Sequence, residues 1–436
     1  MPLRVLAVDF NSFFASCEQQ ERPELREKPV GIVPVLADTT CCIAASYAAK
    51  AKGVKVGTGI AEARALCPEI QLIEQRPALY IDYHHRLIDV IESCIHVTEK
   101  RSIDEVECEL TASFAPRERA LAIARQIKER VARRIGSCLT SSIGIAPNWL
   151  LAKIATDMQK PDGLVVLEDE DIPQKLLRLE ITDFSGIGPS MGARLRTHGI
   201  DSVAKLYAVS KSQMRGIWGS VDGERMHARL HGENVPSPRE KYQTVGHSHV
   251  LPPFLRTEAK SLAVLHRLLQ KAAMRLRDIG HYAGGLIVHV SYFNDLSWSD
   301  ELRFNDTQDT VKLTQALNQL WAQRPAGCRR RTPARVGLVL TRLLSMGGHT
   351  PDLFFHDQEE ARERLHHAVD TLNQTFGNGT VYFGGAHGVT ENAPMRISFT
   401  QIPKPEIEEI DQSRNGRLRP LKPADWPAAS DQDASG

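Results

Sequence analysis

The stretch from Ser102 to Glu107 places the strongest constraint on how this chain folds. Its sequence, SIDEVE, holds two adjacent carboxylates, Asp104 and Glu105, between the β-branched residues Ile103 and Val106. Neighbouring residues of a strand point to opposite faces of the sheet, and an unpaired carboxylate is costly to bury. Either one acid is ordinary solvated surface, or both converge at a strand end or bend. Taken alone, the stretch favours a hairpin edge with scattered acids.

A third carboxylate changes that interpretation. The apolar run Leu3–Phe10 has the length of a strand, and Asp9 lies near its end. Asn11 and Ser12 then predict an N-cap for a helix over Phe13–Gln20. Acids at the carboxyl ends of strands are common positions for sites in α/β sheets. The competing explanation is that Asp9 only caps the turn.

Oxygen ligands without His or Cys suit Mg²⁺. Two such ions close together can activate a hydroxyl nucleophile and stabilise a leaving pyrophosphate. Tyr47 and Lys50 lie one turn apart on a short predicted helix, and with Lys160 they are candidates for holding a triphosphate. Taken singly, Tyr47 and Lys50 are explained as a solvated helix face. Their occurrence together with the three acids indicates a template-directed nucleotidyl transferase.

At 436 residues the chain has room for roughly three to four domains. Strands interrupted by helices over residues 1–167 predict an α/β or α+β domain. Short helices follow to residue 235, and among them the hairpin Gly186-Ile187-Gly188 exposes backbone N–H groups of the kind that bind phosphate. Such a turn also occurs for steric reasons alone.

Residues 241–345 predict a β-α-β-β-α-β unit. They carry 15 Lys and Arg against 7 Asp and Glu, whereas residues 346–436 carry 8 against 14. A basic domain followed by an acidic tail fits polyanion binding, with the tail outside the contact. The run Arg329-Arg330-Arg331 is expected to contact phosphate. Within the tail, residues 379–385 predict a strand, and residues 403–436 have the composition of a disordered segment.

The eight cysteines form no CxxC pair, which argues for reduced thiols and against a zinc site or a disulfide framework. No apolar run has the length of a signal-peptide h-region or a membrane span. These features predict a cytoplasmic protein with no membrane partner.

The chain resembles the Y-family (DinB/UmuC-type) translesion DNA polymerases from residue 1 to about 345, and more loosely to about 400. The motifs that carry the resemblance are VDFNSFFASCEQ (8–19), RPELREKPVGI (22–32), SYAAKAKGVKVG (46–57), RSIDEVE (101–107), SSIGIAPNWLLAKIATDMQKPDG (141–163) and FSGIGPSMGARL (184–195).

The resemblance implies an α+β multidomain fold, a right-hand polymerase. Its parts would be a palm (1–19 and 75–167), fingers (20–74), a helix-hairpin-helix thumb (168–235), a DNA-binding little finger (241–345) and a C-terminal extension (346–436).

The resemblance also implies the roles of the site residues. Asp9, Asp104 and Glu105 would bind two Mg²⁺ ions, with the backbone carbonyl of Phe10 as a further ligand. Phe14 would be the aromatic steric gate against the ribose 2′-OH, while Phe13 is a core residue. The residues expected to contact the dNTP triphosphate are Tyr47, Lys50 and Lys160. At position 50 many relatives carry Arg, so a bidentate clamp becomes a point charge in this chain.

The implied activity is low-fidelity insertion of dNTPs opposite damaged template in primer-template DNA, in a bacterial cytoplasm and at the nucleoid. A non-catalytic homologue that scaffolds a damage-tolerance complex, or a nucleotide cyclase, are the alternatives. Residues 350–355 occupy the position of a sliding-clamp peptide without its usual Gln. The tail segment GTVYFGG (379–385) and the run Ala393-Pro394-Met395 resemble UmuC-type extensions, which suggests a UmuD-like subunit and RecA as partners. Arg101 replaces an aromatic residue found in many relatives, and its effect does not follow from the sequence.

Overall fold

The computed structural model describes residues 2–236, 243–293, 296–350, 356–377 and 379–389. The strands are β1 (Val5–Phe10), β2 (Val30–Val33), β3 (Ala44–Ala45), β4 (Gln71–Glu74), β5 (Glu99–Lys100), β6 (Glu105–Glu109), β7 (Ser141–Ala146), β8 (Leu164–Val166), β9 (Val245–Val250), β10 (His281–Tyr292), β11 (Ser297–Thr307) and β12 (Pro333–Ser345).

The helices are α1 (Phe13–Glu21), α2 (Tyr47–Ala51), α3 (Ile60–Leu66), α4 (Pro77–Glu92), α5 (Arg117–Arg134), α6 (Trp149–Met158), α7 (Pro189–Thr197), α8 (Val203–Ala208), α9 (Lys211–Trp218), α10 (Val221–Leu230), α11 (Glu258–Asp278), α12 (Thr310–Gln323), α13 (Ala326–Arg329) and α14 (His356–Phe376). None of the helices in the described ranges is long and apolar enough to cross a membrane.

The first sheet has the order β5-β6-β1-β7-β8, and its central strand β1 is antiparallel to both neighbours. Side chains of β1 alternate between two cores. Leu6, Val8 and Phe10 join the core that holds α4 and α5, whereas Val5 and Ala7 join the core that holds α6. Asp9 shares the parity of Val5 and Ala7, so its carboxylate faces α6.

Helix α6 lies unusually close to the sheet. A Cβ atom added at Gly144 of β7 would lie 2.0 Å from the carbonyl oxygen of Ala152, so only glycine permits this approach. The N-cap of α6 is Asn148, whose side chain accepts from Leu151 N. The same side chain donates to the carbonyls of Arg229 and Glu233 at 2.8 and 3.0 Å. One residue therefore both starts α6 and ties the sheet to the end of α10.

The apolar stretch of residues 95–97 predicts a strand from the sequence, but the structure forms none there, and β5 begins at Glu99 instead. The acidic stretch is a bend followed by a strand, because the N–H groups of Arg101 and Ser102 both bond to the carbonyl of Glu105. Glu105 is the first residue of β6, and Asp104 precedes it in the turn. This bend lets two adjacent carboxylates approach the same site, which a continuous strand would prevent.

Three further units complete the fold. A small sheet of order β3-β2-β4 with α2 and α3 follows the first strand and helix. Helices α7–α10 pack against α6 in a shared core. The second half is a sheet of order β11-β10-β12-β9 with α11 and α12 against it, which confirms the predicted β-α-β-β-α-β order. The architecture is the α+β multidomain arrangement expected from the sequence.

Helix α14 belongs to this second half and packs beside α11 and α12. Its acids pair with the domain's own cations. Asp370 forms two bonds with Arg277 at 2.6 and 2.8 Å, and Glu359 accepts from Lys312 at 3.0 Å. Part of the positive charge counted in residues 241–345 is therefore neutralised inside the protein. The strand predicted at residues 379–385 is wrong, because this segment forms a turn and a short 3-10 helix.

The clamp-peptide prediction at residues 351–355, and the disorder predicted for residues 403–436, lie outside the described residues.

Candidate active site

Three carboxylates meet where β1 ends and β6 begins. Asp9 and Glu105 are directly opposite each other in the antiparallel register, so their side chains lie on the same face of the sheet. Asp9 is buried, with 6% of its surface exposed. Asp104 is tied to β1 because its carbonyl accepts from Phe10 N at 2.9 Å. The fold therefore brings together the three acids that the sequence singled out from two distant segments.

Two lysines of α6 and the loop after it bridge these acids. Lys153 Nζ pairs with Asp9 Oδ2, with Glu105 Oε1 at 3.0 Å and with Asp157 Oδ2 at 3.3 Å. Lys160 Nζ pairs with Asp9 Oδ1 at 2.9 Å and with Asp157 Oδ1 at 2.7 Å. Burial disfavours the charged form of Lys153, but the three carboxylates outweigh burial and raise its pKa. Its ammonium is thus a buried cation held between acids.

The electrostatics of Asp104 reflect the crowding of negative charge. Burial, together with the charges of Asp9 and Glu105, raises the pKa of Asp104 to about 6, against the opposing effect of the bond from Ser102. Ser102 Oγ donates to Asp104 Oδ1 at 2.5 Å. A carboxyl group in this position is stabilised as an anion by an added cation.

Within the described ranges, no three His, Cys, Asp or Glu side chains are gathered closely enough to hold a metal ion in this arrangement. The Lys153 ammonium pairs with both Asp9 and Glu105. The donor set still fits a divalent ion, because it consists of hard carboxylate oxygens. A cation already occupies the space between them in the form of Lys153.

Phe10 follows Asp9 in β1, and Phe14 lies in the first turn of α1. The ring of Phe10 is buried on the opposite face of β1, so only its backbone lies beside the carboxylates. The ring of Phe14 stacks on Tyr80 with centroids 4.3 Å apart and planes at 14°. Tyr80 is itself anchored, because its hydroxyl donates to Glu18 at 3.0 Å. Phe13 is also buried, as expected for a core residue. Phe14 therefore has a rigid backing.

Tyr47 and Lys50 of α2 approach the same region. Lys50 Nζ lies 4.4 Å from the centroid of the Tyr47 ring and donates to Ser12 Oγ at 2.8 Å. Burial and the neighbouring Lys160 lower the pKa of Lys50, while burial raises the pKa of Tyr47. The fold thus brings Lys50 and Lys160 near each other, as a polyanion-binding site requires.

The N-cap predicted at Asn11 and Ser12 is wrong in its chemistry. Ser12 occupies the N-cap position of α1, but its side chain makes no capping bond and its φ is +48°. Its hydroxyl accepts from Lys50 instead, and the Asn11 side chain bonds to residues of β7 and of the loop after α6. Both side chains serve the site rather than the helix, which explains a left-handed conformation at a non-glycine residue.

Arg101 is now explained as an element of the sheet edge. It pairs with Glu107 and, at 2.9 Å, with Glu99, and its guanidinium lies 4.9 Å from the ring centroid of Trp149. Its side chain therefore links β5, β6 and the start of α6, and the carboxylates that it pairs with are those of Glu99 and Glu107. Glu107 is the partner that holds it from β6.

The predicted DNA contacts differ in their availability. The side chain of Ile187 is buried and its N–H bonds to the carbonyl of Phe184, so this residue presents neither group to a ligand. Gly186 has a φ of +91°, and Gly188 is the N-cap of α7 with open space around it. The hairpin offers its glycine backbone, not Ile187.

The arginine run divides in the same way. Arg329 donates to the carbonyls of Arg324 and Ala322 and so completes the end of α12. Arg330 and Arg331 are exposed. The expectation of phosphate contact is retained for these two residues and is weakened for Arg329.

The sequence-based selection of site residues missed Lys153 and Asp157. Both lie within the stretch 141–163 quoted above, and with Lys160 they follow the spacing i, i+4 and i+7, which places them on one side of a helix and its extension. An alternation of charges on an otherwise apolar helix was the signal that could have identified them. Ser102 was also missed, because a hydroxyl two residues before an acid carries no such pattern.

Comparisons with known proteins agree with this geometry. Residues 8–157 match the model of the impB/mucB/samB family, and residues 242–353 match the model of the C-terminal domain of that family. A protein of Moorella thermoacetica named DNA polymerase IV is 31% identical over 390 residues, covering 87% of this chain and 94% of the relative. A protein of Bacillus subtilis named DNA polymerase IV 1 is 26% identical, covering 91% and 96%.

Solved structures give the same fold. A Y-family DNA polymerase chimera of Dbh and Dpo4 superposes with a TM-score of 0.66 at 23% identity, covering 78% of this chain and 99% of the other. The insertion ternary complex of Dbh DNA polymerase superposes with a TM-score of 0.53 at 24% identity and the same coverage. The fold is that of a right-hand polymerase, and the chain belongs to the impB/mucB/samB family, the Y-family DNA polymerases, with its named relatives of the DinB type.

Proposed function

We propose that this chain is a template-directed DNA polymerase of low fidelity that inserts dNTPs opposite damaged template in translesion synthesis and DNA repair. The observation that carries the proposal is the meeting of Asp9, Asp104 and Glu105 at one end of a sheet. Cationic side chains that suit a triphosphate lie directly beside them. A scaffold without activity has no need of this costly concentration of like charge.

The nucleotidyl transfer depends on a divalent metal, which we propose to be two Mg²⁺ ions held by the three carboxylates and the carbonyl of Phe10. Bound ions supply the Lewis acidity that activates the primer 3′-hydroxyl and neutralises the leaving pyrophosphate. The chain's own contribution is to hold the acids in place through the β1–β6 register, and to keep Asp104 oriented through the bond from Ser102.

The remaining residues bind and select the nucleotide. Lys160, Lys50 and Tyr47 hold the triphosphate by charge and hydrogen bonding. The ring of Phe14 fills the space beneath the sugar, and its stacking on Tyr80 prevents it from yielding to a 2′-hydroxyl. These side chains come from the first two units of the fold, so binding of the nucleotide joins them.

Primer-template DNA is held by its backbone. The glycines of the hairpin Gly186–Gly188 offer N–H groups at the start of α7, and the exposed Arg330 and Arg331 offer charge from the second half. Contacts of this kind carry no base specificity, which suits an enzyme that accepts altered templates. We also propose that it works at the nucleoid of the bacterial cytoplasm, with a sliding clamp, a UmuD-like subunit and RecA as candidate partners.

Primer extension on undamaged and abasic templates tests the proposal. The wild type should extend a primer with Mg²⁺ and dNTPs but not with EDTA, and Asp104→Asn should lose at least about a hundredfold in rate. Glu109→Gln is the matched control, since Glu109 is the exposed last residue of the same strand. Absence of extension by the wild type, even with the candidate partners added, would refute the function. Cyclic product from ATP or GTP alone would favour a cyclase.

A further inference from the structure

Asn11 is a buried residue whose side chain bonds to three residues in two other segments of the chain. It is 2% exposed and lies two positions after Asp9. Its Oδ1 accepts from the backbone N–H of Asp162 at 2.8 Å and from Thr140 Oγ1 at 3.2 Å. Its Nδ2 donates to Ser142 Oγ at 3.0 Å. An amide has few such arrangements available in a core, so its partners define one orientation.

The segment held in this way is the loop of residues 159–163, which carries Lys160. Ser142 Oγ extends the contact to both ends of the loop, since it accepts from Gly163 N at 3.3 Å and donates to the carbonyl of Gln159 at 3.4 Å. Lys128 Nζ holds the middle through the carbonyl of Asp162 at 2.9 Å and its Oδ1 at 2.6 Å. Lys160 itself makes none of these bonds; the loop sets the position of its backbone, from which its ammonium reaches Asp9 and Asp157.

The loop is also sterically confined. Asp162 has a φ of +57°, and a Cβ atom at Gly163 would lie 1.8 Å from the carbonyl oxygen of Gln159. A backbone folded this tightly persists only where its surroundings hold it. The bond from Asp162 N–H to Asn11 lies at the residue with the unfavourable φ. Its loss would release the loop at the residue under most strain.

We infer that Asn11 is a positioning residue for nucleotide binding, which fixes the 159–163 loop so that the Lys160 ammonium is aimed at the triphosphate of the incoming dNTP. The inference rests on the proposed function and goes beyond it, because Asn11 touches neither nucleotide nor metal. The residue acts through Lys160, whose Nζ is presented beside Asp9.

The chemistry of the position favours Asn over its closest replacements. Ala removes the acceptor of the Asp162 N–H. Asp can still accept from the Asp162 N–H and from Thr140. However, the Ser142 hydroxyl must then donate to the Asp side chain, so its hydrogen bond to the carbonyl of Gln159 is lost. It also adds a third negative charge beside Asp9 and Asp157. We therefore expect the order of nucleotide affinity to be Asn, then Asp, then Ala.

The test is a double-mutant cycle on nucleotide affinity, with the full-length chain bound to a primer-template whose primer ends in a dideoxynucleotide. Titration of dNTP in Mg²⁺, followed calorimetrically, measures affinity without turnover. Asn11→Ala should weaken dNTP binding about tenfold or more, and Asn11→Asp should recover part of this loss. In a Lys160→Met background, Asn11→Ala should add little, because both changes remove the same contact.

Additive effects of the two substitutions, or unchanged dNTP affinity in a folded Asn11→Ala, would overturn the inference. A purely structural role would lower the unfolding temperature without this non-additivity. If Asn11→Ala does not fold, Ser142→Ala replaces it in the same cycle, since it removes the second arm of the clamp. The measurement of dNTP affinity does not depend on catalysis. A failure of the proposed function would appear in a different experiment, as a wild type that does not extend primers.

Discussion

Lys153→Met is the change that most directly probes the metal site. The Nζ of Lys153 lies between Asp9 and Glu105, and its side chain is only 13% exposed. Methionine keeps the length of the side chain and removes its charge. Without metal, Glu105 then faces Asp9 without the Lys153 cation, and Asp9 keeps its pair with Lys160. Breaking a buried ion pair costs about 3–5 kcal/mol. Because Glu105 is 27% exposed, we expect the lower end, about 3 kcal/mol.

The free energy lost with the Lys153 ion pairs should be recovered when the variant binds a divalent ion. If the ion takes the position of the ammonium, the wild type must give up its ion pairs to bind it, whereas the variant need not. A difference of about 3 kcal/mol corresponds to roughly a hundredfold tighter binding by the variant. Titration of Mn²⁺ into the protein without DNA or nucleotide, followed by electron paramagnetic resonance, measures this affinity. Thermal unfolding in EDTA measures the loss of stability.

Lys205→Met is the matched control, because its pair with Asp201 at 2.8 Å is exposed on both sides and distant from the acids. Lys205→Met should change neither the affinity for Mn²⁺ nor the thermal stability in EDTA. If a folded Lys153→Met binds Mn²⁺ no more tightly than the wild type, the ammonium does not occupy the place of the ion, and the reasoning fails. If stability in EDTA is unchanged, the carboxylates are not held together in the metal-free protein.

Three further changes test other parts of the structure. Burial lowers the pKa of His84 to about 4, and His84 Nδ1 bonds to the carbonyl of Ile103 at 2.8 Å. The pKa of His84 in the folded state thus lies below its unfolded value of about 6.5. The contribution of neutral His84 to the free energy of unfolding, about 3 kcal/mol, is therefore fully present above pH 6.5 and is lost as the pH falls toward 4. His84→Asn keeps the donor without a titrating ring, so chemical unfolding across this range should show a flatter acid limb, and an identical limb would contradict the assignment. Phe14→Ala should raise ribonucleotide insertion by about 10- to 200-fold relative to dNTP, whereas Phe13→Ala should only lower stability; unchanged sugar selectivity in single-nucleotide insertion would place the gate elsewhere. Asn148→Asp keeps the cap of α6 but cannot donate to the two carbonyls at the end of α10. It should lower the free energy of unfolding by about 1–3 kcal/mol and increase cleavage near residue 235 in limited proteolysis. Resistance to cleavage equal to that of the wild type would show that these two hydrogen bonds do not hold α10 against α6.

Local patterns determined the order of helices and strands and the two runs that carry acids. Alternation and apolar runs report which face of an element is buried, and this information is contained in neighbouring residues. The β-α-β-β-α-β unit and the motifs around Asp9 and Asp104 could be predicted for this reason. Local patterns failed at residues 95–97 and 379–385, where short apolar stretches of strand-like composition are turns, because tertiary packing overrides weak β-propensity.

The tertiary structure alone decided which side chains meet. Lys153 contacts Asp9 across 144 positions of sequence, and Asn11 contacts Asp162 across 151. Neither pair leaves a periodic signal, because each partner satisfies only its own local geometry. The bonds of Arg329 to the end of α12 and of the acidic helix α14 to a basic domain also engage charge that a count along the chain treats as available. The sequence gives the number of charged side chains, whereas the fold decides how many of them remain available to a ligand.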